Sequence, residues 1–274
     1  MIKYDCLILK YKISNMKIIS WNVNGLRSPS MSVIKDGKFN TESNLYKLIV
    51  DNDPDILCLQ ETKCQEKHQD LFSTLPFKYK LWNSSTDKLG YSGVCILSKL
   101  PFNVISIPEL DSDKFGRSLV IELDAFIVCC VYVPNSQNKD DYRKDWDTVI
   151  HEFLNEKYDS VKPIIYCGDL NVVAEENDIY NPAILKKGTS PGTKKYEREN
   201  FRSLLEIGYV DAHRFLNPID KLWSWWDVRS KSRDRDNGWR LDYFLVSQES
   251  IIKSGRILKS IYGSDHCPIM LDIA

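Results

Sequence analysis

No run in this chain approaches the roughly eighteen apolar residues that a membrane span needs, so no spanning helix is expected. There is no internal repeat, no low-complexity tract and no Gly/Ser linker, which excludes a solenoid or a beaded multidomain chain. Eight cysteines are present, yet none forms a CxxC pair and none sits near a histidine in a zinc pattern. A structural zinc site and a small secreted disulfide scaffold are both excluded. The thiols read instead as small buried hydrophobes in a reducing, intracellular protein. Cys129 and Cys130 adjoin in an apolar run, so on a strand they face opposite sides. Positive charge is not in excess either: Lys plus Arg minus Asp plus Glu is 37 − 38 = −1. A generic polyanion binder would be more basic, so any nucleic-acid contact must use a local basic face. Residues 1–15 lack a long apolar core and a small-residue cleavage site, because Cys6-Leu7-Ile8-Leu9 is broken by Lys10 and Lys12. They are read as an N-terminal extension rather than a signal peptide, with Met16 as a second candidate start.

What is present suits one large domain over residues 16–274. A chain of 274 residues can bury about three quarters of its unfolded surface, and 43% hydrophobic with 27% charged residues is a soluble, globular balance. Short Ile/Val/Tyr/Cys-rich runs bounded by Gly, Pro, Asp or Asn predict strands at Lys17–Asn22, Ile56–Gln60, Gly93–Leu97, Leu119–Leu123, Phe126–Val133, Ile164–Cys167, Tyr243–Val246 and Ile269–Ile273. Helical spacing predicts Glu42–Asn52, Tyr142–Glu156 and Tyr196–Ile207. In the second, Trp146, Val149, Ile150, Phe153 and Leu154 share one face. The pattern implies an α/β fold, a β-sandwich flanked by helices.

Many of these strand runs end in residues that can do chemistry. Examples are Asn22, Gln60-Glu61, Pro134-Asn135 and Gly168-Asp169-Leu170-Asn171. One polar strand end is ordinary turn chemistry. Four suggest a single rim carrying a site. Asp265-His266 and Asp242 join this set. A histidine needs a carboxylate to fix its tautomer and support its cationic form, and Asp242 is the candidate for His266. The competing reading is a surface or capped histidine near a chain end. Glu61, Asp169, Asn171 and Asp265 are hard oxygen donors without a His/Cys cluster, which favours Mg²⁺ or Mn²⁺ over zinc. Such a site points to a phosphate ester as substrate. Two segments are locally basic, Lys186–Arg202 and Arg229–Arg240, and the second follows Trp223, Trp225 and Trp226 and contains Trp239. Cations interleaved with aromatics suit a phosphate backbone beside a base or sugar. A solvated loop over core tryptophans is the alternative, and Arg229 is the substrate-binding candidate.

Seven strings occur in order: Ser20-Trp21-Asn22-Val23-Asn24-Gly25-Leu26-Arg27, Leu59-Gln60-Glu61-Thr62-Lys63, Tyr91-Ser92-Gly93-Val94 through Lys99, Val131-Tyr132-Val133-Pro134-Asn135, Cys167-Gly168-Asp169-Leu170-Asn171-Val172, Trp239-Arg240-Leu241-Asp242-Tyr243-Phe244 and Gly263-Ser264-Asp265-His266-Cys267-Pro268. Together they resemble the exonuclease III family of abasic-site DNA endonucleases, within the endonuclease/exonuclease/phosphatase superfamily. The resemblance covers the chain from Met16 onward. It implies a four-layer α/β-sandwich, two mixed sheets packed face to face and flanked by helices. It also implies that Glu61 binds a divalent metal, with Asn24, Asp169, Asn171 and Asp265 near it. Asp169 would activate water, with Asn171 beside it and Asn22 bonded to it. His266, oriented by Asp242, would contact the phosphate, together with Tyr132 and Asn135. Trp225, Trp239 and Leu241 would wall a pocket for an abasic sugar, which has no base to unstack and is cheap to extrude.

Two features depart from some relatives. Asn24 stands where they carry Asp, and Ser136–Asp141 is partly acidic where they carry a basic DNA-gripping residue. The expected activity is Mg²⁺-dependent cleavage (Mn²⁺ substituting) of double-stranded DNA 5′ to an abasic site in base-excision repair, with a 3′-exonuclease or 3′-phosphodiesterase as an accompaniment. The expected protein is a monomer without a membrane partner, nuclear in a eukaryote and otherwise cytoplasmic. A general nuclease or other phosphoesterase of the superfamily is one alternative. A non-catalytic DNA-binding module on the same fold is the other.

Overall fold

The computed structural model describes residues 15–137 and 139–274. Most of the N-terminal extension therefore lies outside the described residues. In chain order the strands are β1 (Met16–Asn22), β2 (Ile34–Lys35), β3 (Lys38–Phe39), β4 (Ile56–Gln60), β5 (Tyr79–Asn83), β6 (Val94–Ser98) and β7 (Asn103–Ile105). They continue with β8 (Ser118–Glu122), β9 (Ile127–Tyr132), β10 (Ile164–Asp169), β11 (Val210–Asp211), β12 (Asp242–Val246), β13 (Ile252–Ile257) and β14 (Ile269–Ile273). The helices are α1 (Asn44–Asn52), α2 (Pro108–Asp111), α3 (Asp140–Lys157), α4 (Pro182–Lys187), α5 (Lys195–Ile207) and α6 (Ala212–Leu216).

Two six-stranded sheets form the body, ordered β13-β14-β1-β4-β6-β5 and β11-β12-β10-β9-β8-β7. Both are mixed, as expected: β1 runs parallel to β4 and β9 parallel to β10, while the other described neighbours in the two sheets are antiparallel. Alternation along each strand sends side chains to two different cores. Ile18, Ile56, Ile96, Val128, Ile165, Phe244 and Leu271 fill the space between the sheets. On the outer face of the second sheet, Val131, Tyr166 and Leu245 pack under Trp146, Ile150 and Leu154 of α3 and Phe201 and Leu204 of α5. On the outer face of the first, Ile19, Trp21, Leu57 and Leu97 pack under Leu45, Leu48 and Ile49 of α1. Cys130 joins the inner core and Cys129 the outer one, as strand geometry requires. Burying each large aliphatic side chain contributes about 1.5–3 kcal/mol.

Local chemistry sets the helix ends. Helix α1 begins two residues later than the spacing suggests, because Ser43 caps it by accepting from the Tyr46 amide. At its other end Asp53 adopts a left-handed conformation and its amide closes onto the Ile49 carbonyl. No helix among the described residues is long and apolar enough to cross a membrane.

The register explains the rim. The parallel β1/β4 pair sets Asn22 opposite Gln60, and the β9/β10 pair sets Tyr132 opposite Asp169. The antiparallel β10/β12 pair sets Asp169 opposite Asp242. Two parallel pairs, each with its carboxyl end at the same edge of the sandwich, thus bring four sequence-distant strand ends together.

Candidate active site

Asp169 sits at the centre, buried at the end of β10. Its Oδ2 accepts a 2.9 Å hydrogen bond from Asn22 Nδ2, and its Oδ1 accepts one of 2.9 Å from the Asn171 amide. The second bond needs the chain to turn sharply after the strand, and Asn171 does this with φ 47°, a conformation asparagine tolerates. Asn171 Nδ2 then donates to the Val133 carbonyl at 2.8 Å, and Asn135 Nδ2 donates to Asn171 Oδ1 at 3.2 Å. Asn22 Nδ2 also donates to Glu61 Oε1 at 3.0 Å. One amide therefore joins the carboxylates of the two sheets.

His266 reaches the same carboxylate from the other side. Its Nδ1 lies 2.7 Å from Asp242 Oδ2 and its Nε2 lies 3.6 Å from Asp169 Oδ2. Trp21 Nε1 fixes the loop by donating to the His266 carbonyl at 3.1 Å, and Ser264 Oγ donates to the Asn22 carbonyl at 2.8 Å. Ser224 Oγ accepts from the Leu241 and Asp242 amides at 3.0 and 3.1 Å, which pins the start of β12. Burial alone would lower the His266 pKa, but the charges of Asp242 and then Asp169 override it and push it up to about 10. Burial pushes Asp169 up to about 7, with the nearby Asp242 charge adding to it and His266 opposing it. A carboxyl group raised by burial thus lies beside an imidazole that its neighbours keep cationic. Tyr132 is raised by burial and by the charges of Glu61 and Asp169, so its phenol stays a proton donor.

A cleft of about 370 Å³ opens over these groups. Glu61, Tyr132, Asn135, Asp169, Asn171, Asp265 and His266 supply its polar side, and Trp225, Trp239 and Leu241 supply an apolar wall. The two indoles meet edge to face, with centroids 5.4 Å apart, over a small apolar cluster with Leu241 and Ile179. Trp225 Nε1 donates to Asp265 Oδ2 at 3.2 Å, so the wall is tied to the acidic side.

The donor set suits a hard divalent cation. Glu61, Asn24 and Asp265 offer only oxygen: Asn24 Nδ2 donates to Asp265 Oδ1 at 2.9 Å, while Asn24 Oδ1 faces the Lys63 ammonium. That ammonium lies 3.0 Å from Glu61 Oε2, so a positive charge already stands among these oxygens. Asp169, Asp242 and His266 also cluster closely enough to hold an ion. An imidazole that keeps its proton and is bonded to Asp242 through Nδ1 is a poor ligand, so Glu61 is the better anchor.

A buried carboxylate, a cationic histidine and a set of oxygen donors on one cleft are groups that together can cleave a phosphoester. A profile of the Endonuclease/Exonuclease/phosphatase family matches residues 19–266. The chain belongs to that family. Over 273 residues it is 40% identical to the DNA repair nuclease APEX1 of Danio rerio, covering 96% of this chain and 84% of that protein. It is 38% identical over 266 residues to the exodeoxyribonuclease of Bacillus subtilis (strain 168), covering 94% and 99%. The crystal structure of the AP endonuclease LMAP from Leishmania major superposes with a TM-score of 0.80 at 28% identity, covering 94% and 87%. The family is one of metal-dependent phosphodiester hydrolases, and this chain is an enzyme of that class.

Of the residues picked out in the sequence, Arg229 alone stands apart. It is exposed in the turn after Asp227 and does not line the cleft. Asn22, Asn24 and Asp242 also lie outside the cleft lining but are bonded to Asp169, Asp265 and His266, which line it. Three further residues line the cleft without having been singled out as site residues: Gln137, within the Ser136–Asp141 loop, and Ser190 and Pro191, within the basic Lys186–Arg202 segment. The Ser-Pro-Gly string at 190–192 was a turn signal that could have flagged two of them. Lys63 was legible within the Gln-Glu-Thr-Lys string but was given no role.

Proposed function

We propose that this protein is a Mg²⁺-dependent endonuclease that cuts duplex DNA on the 5′ side of an abasic site. It leaves a 3′-hydroxyl and a 5′-deoxyribose phosphate, as a base-excision repair step inside the cell. The observation that carries the reading is the apolar wall of Trp225, Trp239 and Leu241 beside Asp169 and His266. A wall of two indoles and a leucine next to hydrolytic groups accepts a sugar without its base and excludes an intact nucleotide.

In the mechanism, Asp169 takes a proton from water, held in place by Asn22 and the Asn171 amide. The water oxygen forms a new bond to phosphorus while the bond to the 3′ oxygen breaks. His266 donates a hydrogen bond from Nε2 to a non-bridging oxygen as charge builds, with Asp242 behind it, and the departing 3′ oxygen takes a proton from solvent to leave as a hydroxyl. Tyr132, Asn135 and Asn171 orient the phosphate. A divalent cation held by Glu61 with Asn24 and Asp265 would neutralise developing charge.

The test uses a labelled duplex with one tetrahydrofuran abasic analogue beside an intact duplex. Wild type and Asp169→Asn are each run with Mg²⁺ and with chelator. One Mg²⁺-dependent cut 5′ to the lesion, lost in the variant, is the expected result. Equal cutting of both duplexes would mean a general nuclease. No cutting by folded protein would overturn the abasic-site reading.

A further inference from the structure

Arg143 of α3 is buried and does not itself line the cleft. Its guanidinium is nonetheless aimed at the backbone of the site. Nη1 donates to the Pro134 carbonyl at 3.0 Å and to the Asn171 carbonyl at 3.2 Å, and Nη2 donates to the Leu170 carbonyl at 3.2 Å. These carbonyls lie beyond the ends of β9 and β10, where the strand ladders have stopped. They belong to two turns. One carries Asn135, and the other carries Asp169 and Asn171.

The rest of the guanidinium is clamped from behind. Nε donates to both oxygens of Asp147, one helical turn along, at 2.9 and 2.8 Å. Asn200 of α5 donates to the same Asp147 at 2.9 Å, and the Glu197 carboxylate lies 3.8 Å from Nη1. A planar fork held by a carboxylate on one edge can present several fixed donors on the other. The two turns are otherwise joined by the Val133 amide, which donates to the Asp169 carbonyl at 2.9 Å, and by side-chain amides, as in the 3.2 Å bond between Asn135 and Asn171.

We propose that Arg143 is a positioning residue: it locks the Asn135 turn to the Asp169–Asn171 turn and so sets the phosphate contacts relative to the base. Its removal leaves DNA binding and the cation site intact but lets the turns drift. A displacement of about 1 Å at such a site can cost about a hundredfold in rate.

The inference rests on the phosphodiesterase reading of the cleft, and wild-type cleavage of the tetrahydrofuran duplex tests that reading separately. In the full chain, Arg143→Met and Arg143→Lys are compared with Leu204→Ala, which loosens the same core without touching the three carbonyls. Arg143→Met is expected to lower kcat by about 30-fold with KM within about threefold of wild type. Arg143→Lys, which keeps the charge but not the fork, should recover part of the loss. Leu204→Ala should keep wild-type kcat below its melting temperature. The Asn135 and Asn171 side-chain amide NMR signals should move in Arg143→Met and stay in Leu204→Ala. If folded Arg143→Met keeps wild-type kcat, or if Leu204→Ala loses as much, Arg143 is structural only. Should Arg143→Met fail to fold, a wild-type kcat in Arg143→Lys overturns the proposal.

Discussion

Asp242 holds His266 with one oxygen, Oδ2, while its buried Oδ1 has no hydrogen-bond partner among the described residues. The carboxylate therefore serves the imidazole through charge as much as through the bond. In Asp242→Asn the bond can persist but the charge is gone, so the His266 pKa should fall from about 10 toward its ordinary 6.5. Imidazole ¹⁵N NMR of the metal-free protein reads this directly. Cleavage should drop by about a hundredfold or more at neutral pH, the size of a lost acid–base contribution. Stability carries the same signature. Because the folded state binds the His266 proton more tightly than the unfolded state, the stabilisation is complete below pH 6.5 and is lost as pH rises toward 10. Urea unfolding of wild type should weaken across that window, and Asp242→Asn should show a flatter dependence. A His266 pKa that stays near 10 in the variant would mean that Asp169 supplies most of the field.

At the scale of elements, the site depends on how closely β9 and β10 approach. Gly168, just before Asp169, has φ +140°, and a Cβ there would lie inside contact distance of the Val131 carbonyl. Gly168→Ala must part the two strands where they carry Tyr132 and Asp169. A loss of about 3 kcal/mol is expected from overpacking and strain together, measured by urea titration, along with loss of cleavage. A second device ties two other segments, the turn of Asp178 and the continuous β11–α6 stretch, to the start of β12. Buried Asp178 accepts from Arg240 Nε and Nη2 at 2.7 and 3.0 Å and from Arg214 Nη2 at 2.5 Å, while Arg240 also pairs with Asp211 at 2.7 Å. Removing one member of a buried ion network leaves its partners uncompensated, so Asp178→Ala should cost about 3–5 kcal/mol. Its chemistry is remote from phosphorus, so kcat of the folded fraction should hold. Parallel loss of kcat and stability would show that Arg240 also places Asp242.

What could be read in advance divides along the same physical lines. All eight expected strands and all three expected helices are present, because each buries an apolar face that leaves a period in the sequence. The missed elements carry little such signal. Strand β5 is half-exposed along its whole length, β7 is mostly exposed, and β13 alternates weakly at a sheet edge. The polar rim was legible because Asn22, Glu61, Asp169 and Asp242 each follow or start an apolar run. That Gln137, Ser190 and Pro191 wall the cleft was not, since a turn signal marks a loop but its packing follows from tertiary contacts. Arg143 was invisible for a related reason: on α3 it reads as one more charged residue of a solvated face, and only the fold reveals three carbonyls converging on it.

At the scale of the whole molecule, the cysteines among the described residues lie inside. The seven cysteines between Cys58 and Cys267 are all buried and unpaired, and burial raises Cys64 to about 11, far from the thiolate form that reacts at neutral pH. Native protein should therefore expose at most the one remaining thiol, Cys6, to a disulfide reagent, and unfolding should release all eight. Fast reaction of two or more thiols in the native state would contradict the packing. The charge balance makes a separate demand. With a net charge of −1, the protein has no global attraction for a polyanion, so DNA binding must come from cations near the cleft, among them the Lys186–Arg202 segment that brackets Ser190 and Pro191. Each phosphate neutralised contributes about −0.9 to the slope of log affinity against log salt. Changing both Lys186 and Lys187, largely exposed on α4, to Gln should then make the slope shallower by up to about 2, with kcat unchanged because neither touches the cleft. An unchanged slope would place the DNA on another face of the rim and leave those lysines as solvated charge.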